Sequence, residues 1–467
     1  MSAKDTYRAL PAMEDASGRR EPGLDTIADA LAHTPGADDW QVELLRDNEA
    51  QLYVIGNWQE SQRTVTNERA VVTIYNDHAP AVHPEGDPTT VRGFTTRTLL
   101  VSDLDRERIR ASLSEGVTMA SLTDNPPFGL PEAPSGSYPS VLIEDPLLAN
   151  DPEAALVDGL ARVTLAVSNF GNVRLSSAEL FTTRTSRSLR NSRNLTTSSP
   201  STQVFLDFVL IAAEDGQEAE FHAELTRRRM SDLMIESTVD SYATYARHLL
   251  LAGPPHTHRG PVVLSGDALL NFFSPVTFHA SGQAAFMKLS RFKSGEPVTA
   301  YEPGGDRLTL MTDALRPYGT RTFVFDGEGL PGTQMTLIQD GVFVQPWAGM
   351  RYATYLGIPP TGDFGNLTIQ PGRWEIDELR SVSDGPIYEI VAFSFMTPDP
   401  ISGDFTVEIK LGYRHDTTGT HPIKGGSLSG NVFAALAGAH FSSQTYSDGN
   451  YLGPAAIRFA NLTISGE

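Results

Sequence analysis

Cysteine is absent from the 467 residues, which excludes disulfide bonds, thiolate zinc sites and cysteine nucleophiles together. Long apolar runs are also absent: no stretch of 18 consecutive apolar residues occurs, so no membrane-spanning segment is predicted. The first 20 residues contain no apolar segment of the kind found in secretory signals. We therefore expect a cytoplasmic protein.

Basic residues are fewer than acidic residues. The chain has 36 lysine and arginine residues against 57 aspartate and glutamate residues, which gives a net charge of −21. Nucleic acid and anionic membranes would repel such a surface, so neither is expected as a partner. The strong acidity is most often a matter of solubility.

The length and the 40 glycines and 31 prolines indicate a folded, loop-rich chain of more than one domain. Period-two patterns alternate with amphipathic stretches, which predicts an α+β protein with a strand-rich C-terminal domain. We predict a mobile tail over 1–24, an N-terminal sheet-and-helix domain over 25–122, a central domain over 123–258 and a C-terminal domain over 259–467.

Several local elements are predicted from the same patterns. An antiparallel pair is expected over 41–46 and 51–55, with the turn at Asp47-Asn48-Glu49. Helices are expected over 103–119, capped by Ser102 or Asp103, over 151–168, and over most of 218–250.

The stretch Pro261–Phe292 organises the rest of the chain. A short buried strand is predicted at its start, followed by an amphipathic helix that Ser265 caps and in which Asp267 complements the helix dipole. Pro275 falls inside that helix, so a kink or a break is expected there. A second short helix completes a strand–helix–loop–helix unit.

Further motifs follow in a fixed order along the C-terminal half. They are the Asp-Gly-Glu-Gly turn at 326–329, the Asp340-Gly341 hairpin, Tyr352 to Gly357, Asn366 to Gly372, Gly403-Asp404-Phe405 and Ser429-Gly430-Asn431. In this order they resemble the TldD/TldE (PmbA) metallopeptidases. The resemblance covers roughly Asp39 to Gly466, and it implies the fold of that family.

Active TldD-type members of the family carry a His-Glu-x-x-x-His zinc motif on the organising helix. Aligned on Gly282, the motif falls on Phe273 to Phe278, where both histidines are phenylalanines, or on Ser274 to His279. In the second alignment only His279 remains, and Pro275 replaces the glutamate. A lone histidine is usually a packed one, so we expect no catalytic residue and no metal ligand in this chain, as in TldE/PmbA-type subunits.

Six residues are candidates for lining a cleft or a partner interface: Phe273, Phe278, His279, Asp404, Phe405 and Asn431. The alternative for the two glycine-bearing segments, 403–405 and 429–431, is that they are tight turns that close the C-terminal sheet.

The resemblance implies a non-catalytic subunit of a heterodimeric zinc metallopeptidase, with the zinc held by a TldD-type partner. Such complexes cleave unfolded peptides or trim leader and modified peptides, and the peptide is expected to bind as an added strand. The alternative is a self-associating peptide-binding or biosynthetic protein on the same fold, without protease activity. A neighbouring gene that encodes the zinc motif would favour the first hypothesis.

Overall fold

The structure is a computed structural model that describes residues 22–56, 58–80, 90–100, 105–382 and 385–467. It divides into two compact units, each discontinuous in sequence. The first unit comprises Met1–Arg46, Glu68–Asn125 and Ser186–Ser199, and the second comprises Asp47–Asn67, Pro126–Thr185 and Pro200–Glu467. The predicted domain boundaries stay a prediction. Most of the predicted tail, and the predicted helix caps Ser102 and Asp103, lie outside the described residues.

The helices of the described residues are mostly short. They are α1 Pro22–Ala32, α2 Arg106–Ala120, α3 Pro146–Asn150, α4 Pro152–Ser168, α5 Ile235–Leu251, α6 Ser274–His279, α7 Gly282–Phe286, α8 Met350–Leu356, α9 Ile376–Leu379 and α10 Val432–Ala437. The predicted helix over 151–168 is confirmed, with Asp151 as the cap of α4 and Pro152 in its first turn.

Strands make up more of the described chain than helices do, which confirms the α+β class. The strands are β1 Asp39–Ile55, β2 Trp58–His78, β3 Val91–Leu100, β4 Val173–Asn191, β5 Thr196–Glu214, β6 Gln217–Arg227, β7 His258–Ser265, β8 Leu310–Asp313, β9 Gln334–Gln339, β10 Val342–Phe343, β11 Asn366–Ile369, β12 Ile387–Phe393, β13 Asp404–Asp416, β14 Gly419–Ile423, β15 Ser427–Asn431, β16 His440–Phe441, β17 Thr445–Asp448, β18 Tyr451–Pro454 and β19 Ala456–Ser465.

The predicted turn at 47–49 is wrong, because β1 runs unbroken through it. The polar side chains that suggested a turn are satisfied by neighbouring strands instead. Thr185 donates a hydrogen bond to Asp47, at 2.7 Å, and Thr66 donates one to Asn48, at 3.0 Å. β1 belongs to a six-stranded sheet with the order β3-β2-β1-β4-β5-β6.

The predicted helix over 218–250 is wrong in its first third. β5 and β6 form a hairpin there, with Asp215 and Gly216 both in the left-handed region at φ 50° and 78°. An Asp-Gly pair favours this hairpin turn, and Phe221, Ala223 and Leu225 alternate as buried residues on one face of β6. Only the later part of the stretch is helical, as α5.

Two sheets carry the C-terminal half, and both contribute to its main apolar core. One has the strand order β10-β9-β8-β11-β18-β17. The other has the order β12-β7-β19-β15-β13-β14, with β16 paired to β19. Alternate residues of β7 face opposite sides of this second sheet. Val262 and Leu264 join the main core, whereas Val263 joins a small cluster with Leu379, Ile387 and Ala456.

The organising stretch begins with β7 as predicted, but the long kinked helix is replaced by a 3₁₀ turn over Gly266–Leu269 and then α6. Pro275 is the second residue of α6, and its missing N–H costs no hydrogen bond there, so the helix begins at Ser274, just before the proline. Ser265 does not cap a helix; its hydroxyl donates to Glu389 instead. The second short helix, α7, is capped by Ser281.

The predicted Asp340-Gly341 turn is confirmed by its backbone conformation. Asp340 and Gly341 connect β9 to β10 at φ 47° and 79°, as a two-residue hairpin requires. Asn194 adopts φ 62°, the left-handed conformation that asparagine tolerates.

Candidate functional site

His279 ends α6, and its imidazole is fully engaged inside the protein. The residue is 1% exposed, and its ring packs against the rings of Phe292 and Phe433, with centroids 5.5 and 5.1 Å away. Nδ1 accepts a hydrogen bond from the Arg291 amide at 3.0 Å, and Nε2 donates to the Ile401 carbonyl at 2.9 Å. Burial lowers the pKa of His279, which favours the neutral ring that this hydrogen-bond pattern requires.

The other residues of α6 do not fit a zinc ion either. Phe273, just before the helix, is completely buried in the core, and Phe278 is half-buried. The Ser274 hydroxyl donates to the Asn271 carbonyl, and Pro275 has no ligating group. Because both nitrogens of His279 are already used, no combination of these side chains supplies the three ligands of a catalytic zinc site.

Asp404, Phe405 and Asn431 lie on adjacent strands, where Asp404 pairs with Asn431 and Phe405 with Gly430. The Asn431 amide oxygen caps α10 by accepting from the Phe433 and Ala434 amides, both at 3.1 Å. Its amide nitrogen donates to Asp404 and to the Ser402 carbonyl, both at 2.8 Å. The hydrogen bond from Asn431 lowers the pKa of the exposed Asp404 carboxyl.

The structure therefore brings His279 and Asn431 to the same turn, residues 399–404. Each side chain donates a hydrogen bond to a backbone carbonyl of this turn. Phe405 is buried, with its ring 6.0 Å from that of Phe272. This geometry matches the alternative in which the glycine-bearing segments close the sheet. Whether these residues also face a partner stays a prediction.

A half-buried polar cluster was not predicted from the sequence. We name it the Asp267 cluster, and its members are Arg227, Tyr242, Asp267, Tyr446 and Asp448. The Asp267 carboxylate accepts from the Tyr446 hydroxyl at 2.5 Å and from the Tyr242 hydroxyl at 2.6 Å. Asp267 is thus held by two tyrosines, and it lies in the first turn of the short 3₁₀ helix Gly266–Leu269 instead of the predicted longer helix.

The same cluster contains an ion pair. The Arg227 guanidinium donates to both carboxylate oxygens of Asp448, at 2.9 and 2.5 Å. The Tyr446 hydroxyl lies 3.2 Å from the Asp448 carboxylate. Burial raises the pKa of both tyrosines well above the ordinary value, so the hydroxyls stay protonated and donate. No local sequence pattern signals this cluster, because its members come from four separate elements.

Glu389 forms a second buried network on β12. The residue is 2% exposed, and Arg380 donates to its two oxygens at 2.6 and 2.8 Å. Ser265 donates to it at 2.7 Å, and His415 lies 3.1 Å away. Despite the burial, these donors lower the pKa of Glu389 to about 2.

The Asp-Gly-Glu-Gly segment at 326–329 is a turn, as predicted, and its carboxylates build it. Asp326 is 2% exposed and accepts from the amides of Glu328, Leu330 and Asp363, at 2.8 to 3.1 Å. Glu328 accepts from the Met350 amide at 2.6 Å. Burial raises the pKa of Asp326 to about 6 and that of Glu328 to about 7.

Within the described residues, one group has the composition and spacing of a cation site: Asp207, His222 and Glu224 on β5 and β6. His222 Nε2 lies 2.7 Å from Asp207 and 3.7 Å from Glu224, and the histidine side chain is 41% exposed. An exposed acidic group of this kind is common without a metal, and the hydrogen bond between His222 and Asp207 already explains it.

Comparison with known proteins shows which family this architecture resembles. Residues 257–466 match the family described as the PmbA/TldA metallopeptidase C-terminal domain. The chain also has the fold of TldE from Thermococcus kodakarensis, with a TM-score of 0.76 over 95% of this chain and 100% of that one, at 17% identity.

Two curated proteins are similar in sequence. An uncharacterized protein of Methanocaldococcus jannaschii is 26% identical over 216 residues, which are 44% of this chain and 51% of that protein. A zinc metalloprotease TldD homolog of Saccharolobus solfataricus is 24% identical over 264 residues, 51% of this chain and 57% of that protein. The chain thus spans about half the length of each. Together with the match of residues 257–466, these likenesses bear out the predicted resemblance to the TldD/TldE (PmbA) family.

Within the described part of the chain, no helix combines the length and the apolar character that a membrane crossing requires.

Proposed function

We propose that this chain is a non-catalytic, TldE/PmbA-like subunit of a heterodimeric zinc metallopeptidase, and that a TldD-type partner holds the zinc. One observation carries the proposal. On α6, where TldD-type members place their zinc motif, the side chains are aromatic, small or already hydrogen-bonded, and both His279 nitrogens are used within the chain.

The complex would act in the cytoplasm on unfolded peptides, or it would trim leader and modified peptides. A peptide in extended form would bind by adding a strand, which makes recognition largely independent of sequence. The charge of −21 supports this choice over a nucleic-acid or membrane partner. In this arrangement the chain contributes enclosing surface and no reacting group.

The test is to co-express the tagged chain with a TldD-type protein encoded beside it. Complex mass, zinc content and cleavage of an unfolded peptide are then measured on the same preparation. We expect one zinc per pair and activity that disappears when either chain is omitted. Zinc-dependent cleavage by the isolated chain would contradict the proposal.

Two variants test whether this chain supplies a zinc ligand. His279→Gln removes the imidazole on α6, and His222→Gln removes it from the exposed group on β5 and β6. Zinc per pair is expected to stay unchanged in both variants, because the metal belongs to the partner. A chain that self-associates and binds peptide, but ignores the TldD-type protein and stays inert beside it, would support the binding-protein alternative instead.

A further inference from the structure

A cavity of about 480 Å³ lies in the second unit, beside the outer face of β19. Its walls combine apolar side chains with nitrogen groups, and include Pro261, Trp374, Leu379, His440, Arg458 and Ala460. Cavities of this volume are typical of sites for small molecules.

Three nitrogen-bearing side chains are brought to this cavity by strand pairing. His440 on β16 and Arg458 on β19 are direct cross-strand partners. Trp374 is anchored to the end of β16 through its amide, which donates to the Phe441 carbonyl at 3.3 Å. The indole and imidazole ring centroids are 4.7 Å apart, so the three side chains form one wall.

These groups lack the partners that buried polar atoms normally have. Trp374 Nε1 and His440 Nδ1 are both buried, and neither has a hydrogen-bond partner among the described residues. The half-buried Arg458 has a single long hydrogen bond, 3.5 Å to the Leu379 carbonyl, and no ion pair with a carboxylate among the described residues. Burial without a counter-ion lowers the pKa of Arg458.

We propose that this cavity is a binding site for a small carboxylate attached to an apolar body, with Arg458, the Trp374 indole N–H and His440 holding the carboxylate. A guanidinium is planar and matches a carboxylate through paired hydrogen bonds. Pro261, Leu379 and Ala460 supply the apolar contact, which distinguishes such a ligand from a bare inorganic anion.

Two arginines and one glutamate carry charges at or beside the cavity wall. Glu378 lines it, but its carboxylate accepts from the Glu375 amide at 2.8 Å in the capping box of α9. Arg373 lies over the Trp374 ring, 5.2 Å from its centroid, and adds a second positive charge. Burial, Arg458 and Arg373 lower the pKa of His440, whereas Asp306 opposes them. A bound carboxylate would raise that pKa, so affinity is expected to increase as the solution becomes more acidic.

Binding of benzoate to the full chain, followed by saturation-transfer NMR, tests the proposal, with benzamide as the neutral analogue of the same shape. Concentrations to about 10 mM cover the millimolar Kd of a fragment-sized ligand. We expect benzoate to bind and benzamide to bind about tenfold more weakly, because the paired hydrogen bonds are charge-assisted.

Variants assign the signal to the cavity. Arg458→Gln is expected to weaken benzoate about tenfold or more, since it removes the charged fork. Trp374→Phe removes the N–H and keeps a ring, so a smaller loss is expected. Arg174→Gln removes the same charge from an exposed residue of β4 and is the control that should change nothing. Thermal unfolding of each variant separates loss of a ligand contact from loss of fold.

Three results would overturn the proposal. These are no benzoate binding in this range, equal binding of benzoate and benzamide, or benzoate binding that Arg458→Gln and Arg174→Gln leave equally intact. If inorganic phosphate bound as tightly as benzoate, the apolar contacts would not contribute to recognition, and that part of the proposal would be wrong.

Discussion

Replacing Glu389 by glutamine tests the energetic weight of the buried network on β12. The variant keeps the size of the side chain and removes the negative charge that Arg380, Ser265 and His415 surround. The positive Arg380 would then face a neutral amide in a site where Glu389 is only 2% exposed. Removing the charge of Glu389 is destabilising, because Arg380, whose side chain is 35% exposed, then keeps only Asp377, 3.8 Å away, as a counter-charge.

The magnitude follows from the pKa of the carboxyl. The network lowers it from an ordinary 4.5 to about 2. At 1.36 kcal/mol for each tenfold change in proton affinity, the ionised carboxylate contributes about 3 kcal/mol to the free energy of unfolding. Because the folded pKa is the lower one, this contribution is complete above pH 4.5 and is lost as the pH falls toward 2.

Urea unfolding of the wild type and Glu389→Gln, followed by circular dichroism and tryptophan fluorescence, measures the difference. We expect about 3 kcal/mol at pH 7, most of it still present at pH 4 and about half near pH 3. Glu218→Gln is the control, because its ion pair with Arg174 is exposed and should contribute about 1 kcal/mol or less. A cost for Glu389→Gln as small as that of the control, or one that does not change with pH, would refute the reasoning.

Three further predictions concern single side chains. Glu328→Gln keeps the acceptor for the Met350 amide but removes a carboxyl whose pKa is raised from 4.5 to about 7, so the wild type loses stability as the pH rises from 4.5 to about 7. The variant is therefore expected to be more stable than the wild type at pH 8 and similar at about pH 4 in thermal melts, and a variant that is less stable at pH 8 would contradict this. Tyr446→Phe leaves Asp267 with one tyrosine donor and is expected to cost about 1.5–3 kcal/mol in urea unfolding, whereas an unchanged midpoint would show that the 2.5 Å hydrogen bond carries little weight. Asn431→Ala removes the cap of α10 and is expected to cost about 1 kcal/mol, while Asn431→Ser keeps a capping acceptor without placing a second carboxylate beside Asp404 and should cost less; the opposite ranking would exclude the capping role.

Local sequence determined much of this protein. The Asp340-Gly341 hairpin, the cap of α4 at Asp151 and the left-handed Asn194 all follow from residue chemistry within a few positions. The α+β class follows from the alternation of apolar periods, and the order of the motifs from 326 to 431 was enough to predict the family.

Only the tertiary structure decided which polar residues form local turns and which pair with distant parts of the chain. Asp47 looked like a turn residue until Thr185, 138 positions later, satisfied its carboxylate. The Asp267 cluster unites side chains from α5, β6, β17 and the turn after β7, so no window of sequence contains it. His279 can be buried because the Ile401 carbonyl and the Arg291 amide complete its hydrogen bonds. Trp374, His440 and Arg458 share a cavity because β16 pairs with β19. Such long-range pairings depend on the folded backbone, and therefore the site chemistry could be read only after the fold was known.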